Sequence, residues 1–352
     1  IDIDWDEEYR KALVRVLATN DIYDYYLELS RFAALLGDGH TGVSLPNEMY
    51  QDYEYFSMLP VFLWKLGEDI IVLNTTEDKK DIIPMYSVLK KVDGTDADAY
   101  VWENCYPFIW HANEGACGVQ AMNYLMYGRR GTDAVLTFEK DGKSFDVRLE
   151  REDPFKMVWC QPEQSHKNEI PRKMVDSSDI HQVFLVDDIA VIKMTSFADD
   201  SMPEKIYSCF EELSAAKGYI IDVRGNGGGN SGNADAIAAL FINGTFRSCY
   251  AETQVYEPVY KAWSVFREDF KSISPDEVQE IFADDEDSIK TYRMSRNVYY
   301  IKQEGDVVTD NAPGKLSGPV VVLMNEYTVS AAEDFIDVMK MYTDAVFIGS
   351  NT

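Results

Sequence analysis

Cysteine is scarce and scattered in this chain. Five occur in 352 residues (Cys105, Cys117, Cys160, Cys209 and Cys249), an odd number with no Cys-x-x-Cys pair. That supports neither a disulfide framework nor a cysteine-built zinc site, and leaves buried or free thiols. Histidine is scarcer still. The four (His40, His111, His166 and His181) show no ligand-like spacing, so no metal is expected. Basic charge is also short. Lys and Arg total 33 against 61 Asp and Glu, a net charge of −28. Nucleic acid and anionic membrane are polyanions and are therefore disfavoured partners; the blander consequence of the charge is solubility. No apolar run approaches the roughly 20 residues of a membrane span. No signal peptide is visible, although the chain opens at Ile1 rather than Met, so an export signal upstream is compatible with it.

What is present is ordinary globular material, 46% hydrophobic and 27% charged. The length suggests roughly two or three domains. Residues 6–37 read as two helices. Tyr9, Leu13, Val16 and Leu17 keep helical spacing, Asn20-Asp21 is a cap, and a second apolar stripe runs from Ile22 to Leu36. A polar turn, Gly37-Asp-Gly-His40-Thr-Gly42, follows. Short strands come next: Val61–Trp64, Asp69–Leu73 and Ser87–Val92, then a mostly helical insert over 95–127. A hairpin over 134–149 turns at Asp141-Gly142. Residues 153–180 are polar and aperiodic, as in a linker. From 181 the pattern is α/β: strand 189–194, helix 203–216, strand 219–223, helix 234–241, strand 246–255, a polar excursion over 256–315, strand 319–324, helix 331–342 and strand 345–348. The expected organisation is multidomain α/β: an N-terminal helical segment (1–56), a β-rich module (57–152) and an α/β domain (153–352).

Two strand-to-helix junctions carry the chemistry. The first is Asp222-Val-Arg224-Gly-Asn226-Gly-Gly228-Gly-Asn-Ser-Gly232. The second is Asn325-Glu-Tyr-Thr328-Val-Ser330-Ala-Ala-Glu333. A glycine-rich backbone with exposed N–H groups and a serine at a helix start are the halves of a nucleophile and oxyanion hole. Each half has a competing reading. Ser330-Ala-Ala-Glu333 also fits a capping box. It is not the Gly-x-Ser-x-Gly elbow, since Thr328 and Ala332 hold the glycine positions. Gly227-x-Gly229-x-x-Gly232 matches the dinucleotide fingerprint, with Glu252 about twenty residues on, and the glycines also suit a plain tight turn. His40 sits in an exposed polar turn, where it can act as a general base or be a bystander.

Taken in order, these segments resemble the serine peptidase family that contains the C-terminal processing (tail-specific) peptidases and the tricorn protease core. Leu36-Gly-Asp38-Gly-His40-Thr41 resembles that family's Leu-x-Asp-x-His-Thr turn. Residues 66–152 resemble a divergent PDZ-like module, with Leu89-Lys-Lys-Val-Asp93-Gly94 at a strand end. Ile189–Phe197 resembles the strand that opens the catalytic domain. Ile221–Gly229 resembles Asp-Leu-Arg-x-Asn-x-Gly-Gly, the most specific match. Thr328-Val-Ser330-Ala-Ala-Glu333 resembles the nucleophile segment, and Ile348–Thr352 the start of a Gly-x-x-Thr segment. The resemblance implies a PDZ-like module beside a ClpP/crotonase-like α/β domain. It implies Ser330 as nucleophile, and an oxyanion hole from the N–H groups of Gly228 and Ala331. It implies His40 as base in the tricorn-like scheme, in preference to a downstream lysine. The lysine of one scheme and the acidic group of the other would both fall after Thr352, so a fragment is expected. The implied activity is a serine peptidase acting on peptide or protein substrates without metal or organic cofactor, possible processing of protein C-termini included, in an extracytoplasmic or cell-envelope setting. Two other classes remain: a non-catalytic ligand- or peptide-binding protein on the same scaffold, and a nucleotide-dependent oxidoreductase.

Overall fold

The first two helices begin where an aspartate precedes each apolar stripe. In the computed structural model α1 spans Trp5–Leu17 and α2 spans Ile22–Ala34. Asp4 accepts the Glu7 N–H and Asp21 the Asp24 N–H, each at 3.0 Å. Each cap satisfies an amide that the helix itself cannot. The structure describes residues 3–110, 114–161, 171–249, 251–253, 270, 273–274, 277–283, 285–296, 301–303, 307–308 and 311–352. The chain forms two compact units. One comprises Ile1–Ile170, Asn325–Tyr327 and Ser350–Thr352; the other comprises Pro171–Met324 and Thr328–Gly349.

In the first unit, α3 (Asn47–Tyr50) and β1 (Ser57–Met58) lead into β2 (Val61–Leu66), β3 (Asp69–Thr75), β4 (Val88–Val92) and β5 (Thr95–Asp96). Then come α4 (Ala97–Asn104), α5 (Glu114–Met126), β6 (Tyr127–Gly128), β7 (Asp133–Lys140) and β8 (Lys143–Glu150). The main sheet runs β2-β3-β4-β7-β8, all antiparallel, with β5 paired to β4. Alternation in β7 buries Ala134, Leu136 and Phe138 on one face, as a half-buried strand requires. The β7–β8 turn holds Asp141 at φ +50° and Gly142 at φ +71°, the left-handed pair that matches strand twist in a two-residue hairpin.

The second unit contains β9 (Lys173–Ser177), β10 (His181–Val186), β11 (Ile189–Met194), α6 (Met202–Ser208), α7 (Phe210–Ser214), β12 (Gly218–Asp222) and α8 (Ser231–Ala238). Further on lie β13 (Phe246–Arg247), β14 (Ala251–Thr253), α9 (Val278–Phe282), α10 (Glu286–Arg296), β15 (Ile301–Gln303) and β16 (Val307–Val308). The unit closes with β17 (Val320–Met324), α11 (Ala331–Tyr342) and β18 (Val346–Gly349). Its sheet order is β18-β17-β12-β11-β10-β9. The four strands from β18 to β11 are parallel, and β10 and β9 extend them antiparallel. Ile192, Ile221 and Val322 stand in register across three strands, and all are fully buried. Phe335 of α11 meets Phe197 with ring centroids 5.8 Å apart. Burying one such side chain contributes about 1.5–3 kcal/mol. This core fixes the ends of β12 and β17, from which both chemical junctions leave.

The architecture is mixed α/β with several sheets, as expected, and three local readings change. Residues 173–177, read as linker, form the edge strand β9, too short and too exposed to show a period. The helix expected over 203–216 is two short helices, broken where Cys209 takes φ −87° and ψ 5°. The strand expected over 246–255 is the two pieces β13 and β14. Most of the excursion over 256–315 lies outside the described residues; within it, Phe270, Val278, Ile289 and Tyr292 form a small core. Among the described residues no helix is long and apolar enough to cross a membrane.

Candidate active site

The glycine loop leaves the carboxyl end of β12, the side of a parallel sheet on which ligands are bound. Its turn is built on Asn226, which is fully buried. The Asn226 Oδ1 accepts the Gly228 N–H at 2.9 Å, and Nδ2 donates to the Met194 carbonyl at 3.2 Å. Its own carbonyl accepts the Val329 N–H at 3.0 Å. One side chain thus shapes the loop and anchors it to β11, while its backbone holds the second junction. Gly228 has φ +82°. A Cβ there would lie 2.7 Å from Ser330 Cβ, 2.7 Å from the Val329 carbonyl oxygen and 3.0 Å from the Ala331 nitrogen. Gly229, at φ +140°, packs on Ala198, where an added Cβ would meet its nitrogen at 2.3 Å.

Ser330 sits between β17 and α11 with φ +58° and ψ −129°. Serine pays for that conformation with about 1–3 kcal/mol of strain, and it persists because neighbours hold it. Thr328, fully buried, donates its Oγ1 hydrogen to the Val223 carbonyl at 2.9 Å. The Ser330 N–H donates to Glu333 Oε2 at 2.9 Å. That bond is the firm arm of a capping box whose other arm, onto the Ser330 side chain, is of looser geometry. The capping reading of Ser330-Ala-Ala-Glu333 is therefore correct. The positive φ adds what a cap does not require, since N-caps ordinarily use extended backbone. A sharp, strained strand-to-helix turn is the physical content of a nucleophile elbow. The Ala331 amide opens the helix, where the dipole favours negative charge.

Asp222 ends β12 with only 6% of its surface exposed. Burial works against its charge, but Arg224 outweighs it. The guanidinium donates to both carboxylate oxygens at 2.8 Å, and the Arg224 N–H adds a third bond at 3.2 Å. The Asp222 carboxyl is held below its ordinary range as a result.

His40 belongs to the first unit. Its side chain is 75% exposed, and Nδ1 lies 3.9 Å from Asp38 Oδ1. Asp38 shapes the turn by accepting the Thr41 hydroxyl at 2.5 Å and the His40 N–H at 3.1 Å. Those two bonds hold the Asp38 carboxyl below its usual value, the Thr41 bond most strongly. Of the residues singled out in the sequence, Ser330, Ala331 and Gly228 come together within the second unit. The Gly228 N–H, expected as an oxyanion donor, is engaged by Asn226. His111 and His166 lie outside the described residues.

Sequence reasoning passed over two groups that hold the serine in place, Asn226 as a fastener and Thr328. Their types were visible, but their bonds reach across tertiary structure. A further Ser–His–Asp alignment was also missed. Ser178 Oγ lies 2.8 Å from His181 Nδ1, and His181 Nε2 lies 2.7 Å from Asp176 Oδ2. The ring attachments are the reverse of those in a catalytic triad. Ser178 Oγ also accepts the Ile180 and His181 N–H groups at 3.3 Å. This is a clip that closes the β9–β10 hairpin. Among the described residues no cluster of His, Cys, Asp and Glu could hold a metal ion.

Residues 188–352 match the model of peptidase family S41. The match makes this a protein of the serine-type peptidase class. The matched residues, a little under half of the chain, are similar to the S41 peptidase domain. No curated protein matches the chain. Among solved structures, mature CPAF aligns over 98% of this chain and 77% of its own, at 13% identity and a TM-score of 0.62. Mature CPAF complexed with lactacystin gives 98%, 78%, 13% and 0.61. At such identities the likeness is one of fold. The photosystem II D1 C-terminal processing protease covers 97% of this chain and 73% of its own, at 13% identity and a TM-score of 0.35.

Proposed function

We propose that this protein hydrolyses peptide bonds through an acyl-enzyme on Ser330, with His40 as general base. The observation that carries the reading is the strained Ser330 turn pressed against the backbone of Gly228. Ser330 Oγ attacks the peptide carbonyl carbon as His40 takes its proton. The carbonyl π pair moves to oxygen, and the oxyanion is met by the N–H groups of Ala331 and Gly228. A charged oxyanion is a stronger acceptor than a neutral amide, so it draws the Gly228 N–H away from Asn226 Oδ1. One such donor is worth roughly 3 kcal/mol in the transition state. The C–N bond then breaks as His40 returns the proton to the leaving amine. Water, deprotonated by His40, hydrolyses the ester and restores Ser330. No step calls for a metal or organic cofactor.

The second unit is read as a ClpP/crotonase-like catalytic domain and the β-rich part of the first as PDZ-like. In that role β2 and β8, the outer strands of the first unit's main sheet, offer edges for strand addition to an extended substrate, processing of protein C-termini included. The capping box favours a second reading, a non-catalytic binding protein in which Ser330 only starts a helix. The two separate on one experiment: Ser330→Ala abolishes peptide hydrolysis under the first and leaves function intact under the second.

A further inference from the structure

The first unit holds a cavity that the proposed chemistry does not use. It measures about 430 Å³, within the usual size range of small-ligand sites. One wall is α2, which turns Tyr23, Tyr26, Leu27 and Ser30 toward it, an i, i+3, i+4, i+7 face. The opposite wall repeats that spacing with Gln120, Asn123 and Tyr124 of α5 and Tyr127 just beyond. Two such faces ordinarily close on each other, because interiors pack without voids. Here they stay apart. Seven of the fourteen lining residues are aromatic and none is charged.

The walls are held rather than loose. Ser30 Oγ and Tyr124 Oη both donate to the Phe108 carbonyl, at 3.1 and 3.2 Å. Tyr23 stacks on Tyr55 with centroids 5.9 Å apart. Arg129 lies 5.1 Å over the Tyr23 ring and is itself fixed by Asp21 and Asp24, each at 2.7 Å. Phe56 stacks on Tyr127 at 4.2 Å. Gly42 admits Trp110 against the backbone, where a Cβ would lie 2.2 Å from the indole. A site built this way pays little ordering entropy on binding. The amide of half-buried Gln120 and, at the exposed rim, that of Asn123 supply polar edges to an aromatic frame.

We propose that this cavity binds an uncharged aromatic group bearing an amide or hydroxyl, stacked against the tyrosines and read by Gln120 and Asn123. Anionic ligands are disfavoured: no lining residue is charged, Arg129 behind Tyr23 is already paired with Asp21 and Asp24, and the chain's net charge is −28. The inference stands independently of the peptidase reading, because no lining residue belongs to the proposed chemistry.

The test titrates the full chain with N-acetyl-tyrosinamide, by calorimetry and saturation-transfer NMR. Saturable binding with a Kd on the order of 1 mM or tighter is expected. N-acetyl-tyrosine, which carries a carboxylate, binds about tenfold more weakly or less. Gln120→Ala weakens binding about tenfold, and Asn123→Trp, a substitution at an exposed rim position, blocks it; circular dichroism confirms that each variant is folded. A pentapeptide with a central tyrosine and neutral ends distinguishes the sources. If it binds, the ligand is a polypeptide side chain; if only the small amide binds, it is a free small molecule. Absence of saturable binding to folded protein, or binding unchanged in both variants, overturns the proposal.

Discussion

Gly228 and Ser330 touch without a side chain's width between them: a Cβ on the glycine would lie 2.7 Å from the Cβ of the serine. Two loops separated by a hundred residues of chain are thereby welded into one turn. The contact makes a prediction that distinguishes neighbouring glycines. Gly228→Ala adds both a clash and an unfavourable positive φ, and is expected to cost about 2–4 kcal/mol and most of the activity. Gly227 has open space where its Cβ would be and no positive φ, so Gly227→Ala stays within about 1 kcal/mol of the parent. Thermal unfolding of the pair decides it.

Ser330 itself is strained, so the proposed nucleophile should be a stability liability. Ser330→Gly removes the penalty of φ +58° and loses only a few tenths of a kcal/mol of capping. The variant is expected to be inactive in peptide hydrolysis and at least as stable as the parent. A melting temperature well below the parent's would show that the turn is not strained.

Thr328 tests how far the turn depends on its fasteners. Thr328→Val keeps the shape but removes one of the two hydrogen bonds on the Val223 carbonyl, which still accepts the Asn226 N–H at 3.0 Å, a loss of about 0.5–1.5 kcal/mol. Hydrolysis should fall through kcat more than KM, since the change loosens the proposed nucleophile rather than the substrate contacts. Steady-state kinetics with a model peptide measures both.

Asp222 and Arg224 give a pH dependence with a definite sign. The folded-state pKa of Asp222 is depressed. Its contribution is therefore fully present above the unfolded value of about 4 and is lost as pH falls through the lower folded value. The stability advantage of the parent over Asp222→Asn should be constant near neutrality and shrink below about pH 4. Denaturant melts from pH 7 down to pH 3 follow it; an advantage that grew on acidification would contradict the pairing.

The second junction was legible because local signals agreed. Helix 331–342 has apolar periodicity, a capping serine and Glu333 at the third position, and α11 occupies those residues. The Asp141-Gly142 turn was legible for the same reason. What could not be read is tertiary. Nothing local says that Asn226 is buried and bonded to Met194, or that a serine in a capping box would carry positive φ. The break at Cys209 has no glycine or proline to announce it, and Pro203 lies at the helix start, where it is compatible with either outcome. The stripe from Ile22 to Leu36 predicts an apolar face and does form α2. Whether that face meets a partner or lines a cavity depends on residues 80 to 100 positions away. The pairing of His40 with Ser330 rests on resemblance and remains the central claim.

That claim is tested most directly by labelling the protein with a fluorophosphonate and mapping the adduct by mass spectrometry. The account predicts one adduct, on Ser330, formed about 10²–10⁴-fold more slowly in His40→Ala, with Ser178 unlabelled. No adduct on folded protein, or labelling of Ser330 at an unchanged rate in His40→Ala, would contradict it.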